Sequence, residues 1–225
     1  MALPPNLASL ALGKGSAPHT LELWLDYLCP FSAKQLLGVE EHVFPLIFSP
    51  GAKYEDRLRL IIRPTPQPWH GTSTYLHEAA LATTRLPPSS STYKETTEVK
   101  ENAFWTASLA LMRAQTKFFD VPAKNKSAEQ IRDELSSIVS EALSSTTTTT
   151  TVKAEEIRTL LAPQGDGNAG SAVVPDLKYC VKIGRQNGVH VTPSVSLNGL
   201  LVGDVSSSFG GKEWGEWLEK NVGLK

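Results

Sequence analysis

The chain has 225 residues, 22 Lys+Arg against 23 Asp+Glu, a formal net charge of −1 and 40% hydrophobic residues. That length suits one domain with an insertion, or two small ones, and can bury a core without covalent staples. The balanced charge argues against nucleic acid or anionic lipid as a main partner, since both need concentrated Lys and Arg. Two cysteines far apart in sequence are neither a disulfide framework nor a zinc cluster. No apolar run approaches the ~18 residues of a membrane span. The first 15 residues lack the basic start and clean apolar stretch of a signal peptide. A soluble protein of a reducing, cytoplasmic compartment, away from membranes, is expected.

Residues 1–19 read as an N-terminal arm with Pro4, Pro5, Gly13, Gly15 and Pro18. Its leucines (Leu3, Leu7, Leu10, Leu12) offer a means of pinning it to the body; a frayed end is the alternative. Residues 21–27 read as a strand, with Leu21, Leu23, Leu25 and Tyr27 alternating against Glu22 and Asp26. Cys29-Pro30-Phe31-Ser32 follows at once, and Pro30 suits the first position of a helix. Leu36, Leu37, Val39, Val43, Phe44 and Ile47 carry that helix until Pro50-Gly51. Residues 57–63 are a second strand, stopped by Pro64. Strand, helix, strand makes a parallel pair with a right-handed crossover.

Pro64, Pro66 and Pro68 then force an irregular connection. Helical patterns follow from Thr72 (Tyr75, Leu76, Ala79, Ala80), from 98 to 119 (Phe104, Trp105, Leu109, Met112, Phe118) and from Ser127 (Ile131, Leu135, Ile138). Pro87-Pro88-Ser89-Ser90-Ser91 separates the first two. The Ser/Thr-rich stretch 144–152 is predicted to be a mobile loop. A helix over 177–186 closes on Asn187-Gly188, and two short strands flank the hairpin signal Asn198-Gly199. A final amphipathic helix carries Trp214, Trp217 and Leu218. The ends, 20–66 and 177–225, form one α/β core, and 67–176 is a helical domain inserted in it.

Cys29 stands between a strand end and a helix start. A helix N-terminus offers free N–H groups and about half a positive charge, which favours a thiolate. The alternative is that Cys29 is a small buried hydrophobe. Ser32 lies one turn on, where its hydroxyl is expected to hydrogen-bond the sulfur or a bound thiol. Val191-Thr192-Pro193 opens a strand, where a proline needs special geometry. His70 and His77 are near each other in sequence and His190 precedes Thr192, but no convincing metal-ligand set forms. Structural roles are expected, with Trp69 and His70 bracing the junction of core and insertion and His77-Glu78 packing or facing the groove.

Together these residues resemble the DsbA-like branch of the thioredoxin-fold superfamily. The carriers are Cys29-Pro30-Phe31-Ser32 after Asp26-Tyr27, Val191-Thr192-Pro193 near the end, and the helical insertion between them. Gln67-Pro68-Trp69-His70, His77-Glu78-Ala79-Ala80 and the run from Gln186 to Pro193 are similar to a eukaryotic subgroup common in fungi and plants. The likeness runs from about Thr20 to Val222, apart from 144–175. It implies an α/β thioredoxin-like fold with an inserted helical domain. It also implies that Cys29 is the attacking thiol, that Pro193 is the cis-proline beside it, and that Thr192 presents its backbone to a peptide or glutathione lying as an extra strand.

Two departures matter. Ser32 replaces the resolving cysteine, so exchange stops at a mixed disulfide unless another thiol completes it. Phe31 fills a position where strongly oxidising members carry His, so help for the Cys29 thiolate rests on the helix dipole, with Asp26 opposing it if buried nearby. Cys180, the one other thiol, reads as a core residue.

Three functions are open on these grounds. The first is a monothiol thiol–disulfide oxidoreductase with Cys29 and Ser32 catalytic, and Pro30, Phe31, Trp69, Thr192 and Pro193 binding substrate. Glutathione would be its co-substrate, held by the backbone of Val191 and Thr192, with no tightly bound cofactor and no metal. The second is a kappa-type glutathione transferase or related isomerase, in which a serine replaces the first cysteine. The third is a non-catalytic peptide-binding module with an apolar rim of Phe31, Trp69 and Trp24.

Overall fold

A computed structural model of the chain describes residues 3–86, 102–146 and 152–223. The Pro/Ser break at 87–91, the first turn expected from 98, and all of the Ser/Thr stretch between 147 and 151 lie outside the described residues.

A five-stranded sheet runs in the order β1 (Ala11–Leu12), β3 (Leu58–Pro64), β2 (His19–Leu25), β4 (Ser194–Leu197), β5 (Leu200–Val202). Only β2 and β3 pair in parallel, with Leu21 opposite Leu60 and Leu25 opposite Pro64. Leu21, Leu23 and Leu25 on one face of β2 and Glu22 and Trp24 on the other are all buried. A central strand covered on both faces has that character. Pro64 closes β3 where the ladder ends, and the next N–H, of Thr65, bonds to the Leu25 carbonyl at 2.8 Å. The β4–β5 turn is the two-residue hairpin expected: Asn198 and Gly199 both take positive φ (53° and 84°), which suits Asn-Gly.

The N-terminal arm belongs to the body. Pro5–Leu10 forms a 3₁₀ turn, and β1 adds an antiparallel edge strand to β3. Leu7, Leu10 and Leu12 are buried, so their apolar surface fixes the segment in place.

The helix after Cys29 is not continuous. It runs as α1 (Pro30–Gly38), a π turn over Val39–Val43, and α2 (Phe44–Phe48). Pro45 explains the break: it has no N–H to give, and its ring would strike the carbonyl four residues back. The wider turn makes room, with the Phe44 N–H reaching Val39 O.

The insertion is α3 (Ser73–Ala82), α4 (Ala103–Ala114), a short α5 (Asp120–Ala123), α6 (Ala128–Thr146) and α7 (Ala154–Leu161). Ser144 and Ser145, expected in a loop, continue α6. Helix α6 packs against α3, α4 and α7, and α8 (Val174–Gln186) returns the chain to β3. Helix α9 (Gly211–Val222) closes the core with buried Trp214, Trp217 and Leu218.

His77 and Glu78 pack inside α3. His77 lies edge-on to Tyr27, ring centroids 4.6 Å apart, and burial pushes its imidazole below the usual range. Glu78 accepts a 2.8 Å bond from Ser171 Oγ, and burial pushes its carboxyl above the usual range. A raised carboxyl disfavours the folded state as pH rises through the folded value, because the buried charge must then form. Glu78→Gln is therefore expected to raise the thermal midpoint by a few degrees at pH 8, with the gap closing toward pH 4. Thermal scans across that range check it.

Candidate active site

The turn from β2 into α1 places Cys29 at the helix N-cap, with Pro30 in the first turn. The Cys29 N–H bonds to Asp26 O at 3.0 Å, and Cys29 O receives the Ala33 N–H at 3.1 Å. These two bonds fix the backbone from which the thiol projects. Cys29 is 5% exposed, and its Sγ donates to the carbonyl of Thr192 at 3.4 Å. The Thr192–Pro193 peptide bond is cis. Two segments far apart in sequence therefore meet at one sulfur.

Around it, Pro30, Phe31, Trp69 and Val191 are exposed, while Thr192 and Pro193 are half-buried. Among the described residues the Thr192 N–H has no hydrogen-bond partner. Trp24, expected on the rim, is instead in the core at 1% exposure, its indole N–H bonded to Ser196 Oγ at 3.0 Å. Its bulk sits on the second face of β2, beneath α8, where the ring lies next to Gly184. His190 is exposed.

Ser32 is fully buried, and its hydroxyl accepts from the Asp26 N–H at 3.2 Å. Among the described residues it makes no bond to the Cys29 sulfur. The hydroxyl is drawn inward because the Asp26 N–H is buried there and needs an acceptor. Ser32 thus ties down the strand end that carries the site.

Asp26 is fully buried, and its carboxylate faces the 67–73 segment. Oδ1 accepts from the Leu28 N–H at 2.9 Å and from Ser73 Oγ. Oδ2 accepts from the Gln67 N–H at 3.1 Å and meets His70 Nδ1 at 2.6 Å. From the insertion, Gln115 Nε2 donates to Tyr27 O at 3.0 Å and Cys29 O at 3.3 Å. Nothing local in sequence marks Gln115 or Ser73: one follows the end of α4 and the other sits between two threonines at the start of α3, and only tertiary packing brings them here. A cavity of about 380 Å³ is lined by Leu28 and Pro30, the neighbours of Cys29 in the chain, and by His70, Phe119, Asp120, Val121 and Pro122.

Both cysteines are free. Cys180, on α8, is buried among core side chains, and burial pushes its thiol up to about 12. It is therefore neither an accessible nor an ionised thiol near neutral pH.

No protein-family model and no curated protein matches the chain. Solved structures do. A candidate protein-disulfide isomerase from Pseudomonas syringae superposes with a TM-score of 0.64 at 21% identity, over 95% of this chain and 99% of that one. BdbD from Bacillus subtilis gives 0.57 at 15% identity, over 94% and 91%. DsbA from Chlamydia trachomatis gives 0.59 at 14% identity, over 98% and 95%. At these identities the likeness establishes architecture: the chain has the thioredoxin-like α/β fold with a helical insertion, as DsbA-like structures do.

Proposed function

We propose that the chain is a monothiol thiol–disulfide oxidoreductase that exchanges glutathione through Cys29. The observation that carries this reading is the Cys29 thiol at a helix N-cap, 3.4 Å from the carbonyl before a cis-proline, with a serine at position 32. The Cys29 thiolate attacks a substrate–glutathione disulfide at the glutathione sulfur. The Cys29–glutathione disulfide forms, and the substrate sulfur leaves with the bond's electron pair and takes up a proton. A second glutathione then attacks, through its sulfur, the glutathione sulfur on Cys29, giving oxidised glutathione and restoring the Cys29 thiol, which takes up the attacking thiol's proton. With no thiol at position 32, completion by an outside thiol is the available route.

The Thr192 N–H, without a hydrogen-bond partner among the described residues, and the exposed position of Val191 favour an extended γ-glutamyl-cysteinyl chain lying along this segment. Exposed Phe31 and Trp69 offer apolar contact for the protein that carries the mixed disulfide. The resemblance to a eukaryotic subgroup and a cytoplasmic, glutathione-rich setting belong to the same reading; glutathione acts as co-substrate, not as a resident cofactor.

Incubation with oxidised glutathione is expected to add one glutathione per folded chain, on Cys29 and not on Cys180, and reduced glutathione is expected to remove it. Peptide mass mapping reads both. An unmodified Cys29, or an adduct on Cys180, overturns the proposal.

A further inference from the structure

The cavity lined by Leu28 and Pro30, which flank Cys29 in the chain, is also lined by one imidazole whose second nitrogen the exchange steps above do not use. His70 Nδ1 meets Asp26 Oδ2 at 2.6 Å. Asp26 already accepts from two backbone N–H groups and from Ser73, so it is held in place as an acceptor. Nδ1 therefore carries the proton toward Asp26, and in the neutral ring the lone pair is on Nε2. Among the described residues Nε2 has no partner. His70 lines the cavity together with Leu28 and Pro30, the residues on either side of Cys29. The other wall is Phe119, Asp120, Val121 and Pro122, which is apolar except for Asp120. The charged groups about His70 are thus Asp26 on the β2–α1 turn, which it touches, and Asp120 on α5, which lines the same cavity. His77 lies beyond Ser73, its Nδ1 3.2 Å from Ser73 Oγ.

We infer that His70, oriented by Asp26, is the proton-transfer residue of the discharge step. This rests on the thiol-exchange reading above. As the glutathione sulfur attacks the glutathione sulfur on Cys29, its S–H proton passes to His70 Nε2. The new S–S bond forms, the old one breaks with its electron pair on Cys29 Sγ, and His70 returns the proton to that sulfur. The sum is Cys29–S–S–glutathione plus glutathione giving Cys29–SH plus oxidised glutathione.

The size of the effect is bounded by the attacking thiol. At a free-thiol pKa of ~8.5, roughly 3% is thiolate at pH 7, so a base can raise the rate by at most about 30-fold. Above about pH 9 the thiol ionises unaided and the base adds nothing. The test charges Cys29 with glutathione and follows discharge by reduced glutathione from pH 6 to 9.5, in the full chain and in His70→Asn. Asparagine keeps an N–H for Asp26 and lacks a group at the Nε2 position. The expected result is a discharge about 10- to 30-fold slower in the variant at pH 7, converging on the parent by pH 9. A parent that discharges faster than a small glutathione disulfide, with a parent-to-variant ratio constant across pH, overturns the role of His70 alone. A parent no faster than the small disulfide overturns both this inference and the exchange reading beneath it.

Discussion

Replacing Cys29 with serine is expected to lower glutathione exchange at least about a thousandfold, to the uncatalysed background, the scale of losing an enzyme's nucleophile. Cys180→Ala is expected to stay within about twofold of the parent, because Cys180 is buried and its thiol is pushed up to about 12. A coupled assay of substrate–glutathione disulfide reduction reads both. The comparison also separates the chemistries open to this fold. A transferase that activates bound glutathione through a hydroxyl would keep its activity in Cys29→Ser and would need no mixed disulfide. A peptide-binding module would retain its binding and would have no rate to lose. A variant with more than about a tenth of parental exchange sinks the assignment of Cys29 as nucleophile.

The geometry also reassigns Ser32. A hydroxyl one turn after the cysteine is expected to face the sulfur, but it caps the buried Asp26 N–H instead. There it fixes the strand end from which Leu28 and Cys29 hang. The group able to assist a bound thiol is His70, contributed by the connection between core and insertion.

What was legible in the sequence follows from the range of the signals. The strand before Cys29, the proline that starts α1 and the Asn-Gly hairpin are local, because alternation, ring geometry and positive φ act within a few residues. The meeting of Cys29 with Thr192 was not local, and only the family resemblance placed them together. The interruption at Pro45 was readable in principle from its missing N–H, but the apolar spacing around it masked the break. The Asp26 cluster was hidden for a different reason. Gln67, His70 and Ser73 reach the carboxylate only after β2, β3 and α3 have packed, and two of its four donors, at Leu28 and Gln67, are backbone N–H groups that any residue but proline would supply. The packed arm lay between these cases, since its leucines were visible but their partner strand β3 was not.

Arg63→Leu is expected to cost about 3–5 kcal/mol of folding free energy, the scale of breaking a buried ion pair from one side. Arg63 and Glu22 are 2% and 0% exposed, and the guanidinium reaches Glu22 Oε1 with Nε at 2.9 Å and a terminal nitrogen at 2.5 Å. Ser196 Oγ donates to the other oxygen at 2.8 Å, and the Arg63 guanidinium lies 5.5 Å from the Trp24 ring centroid. Removing Arg63 leaves a carboxylate in the core with a single hydroxyl to hold it. Removing both charges leaves no such orphan, so Glu22→Leu/Arg63→Leu is expected to recover most of the loss. Urea unfolding of the single and double variants checks this; a single variant within about 1 kcal/mol of the parent contradicts the expected cost. The pair lies on the face of β2 beneath α8, opposite the face formed by Leu21, Leu23 and Leu25. The Asp26, Gln115 and Thr192 contacts that position Cys29 do not pass through it. Stability and thiol chemistry should therefore separate: the double variant, once folded, is expected to form the Cys29–glutathione disulfide as the parent does.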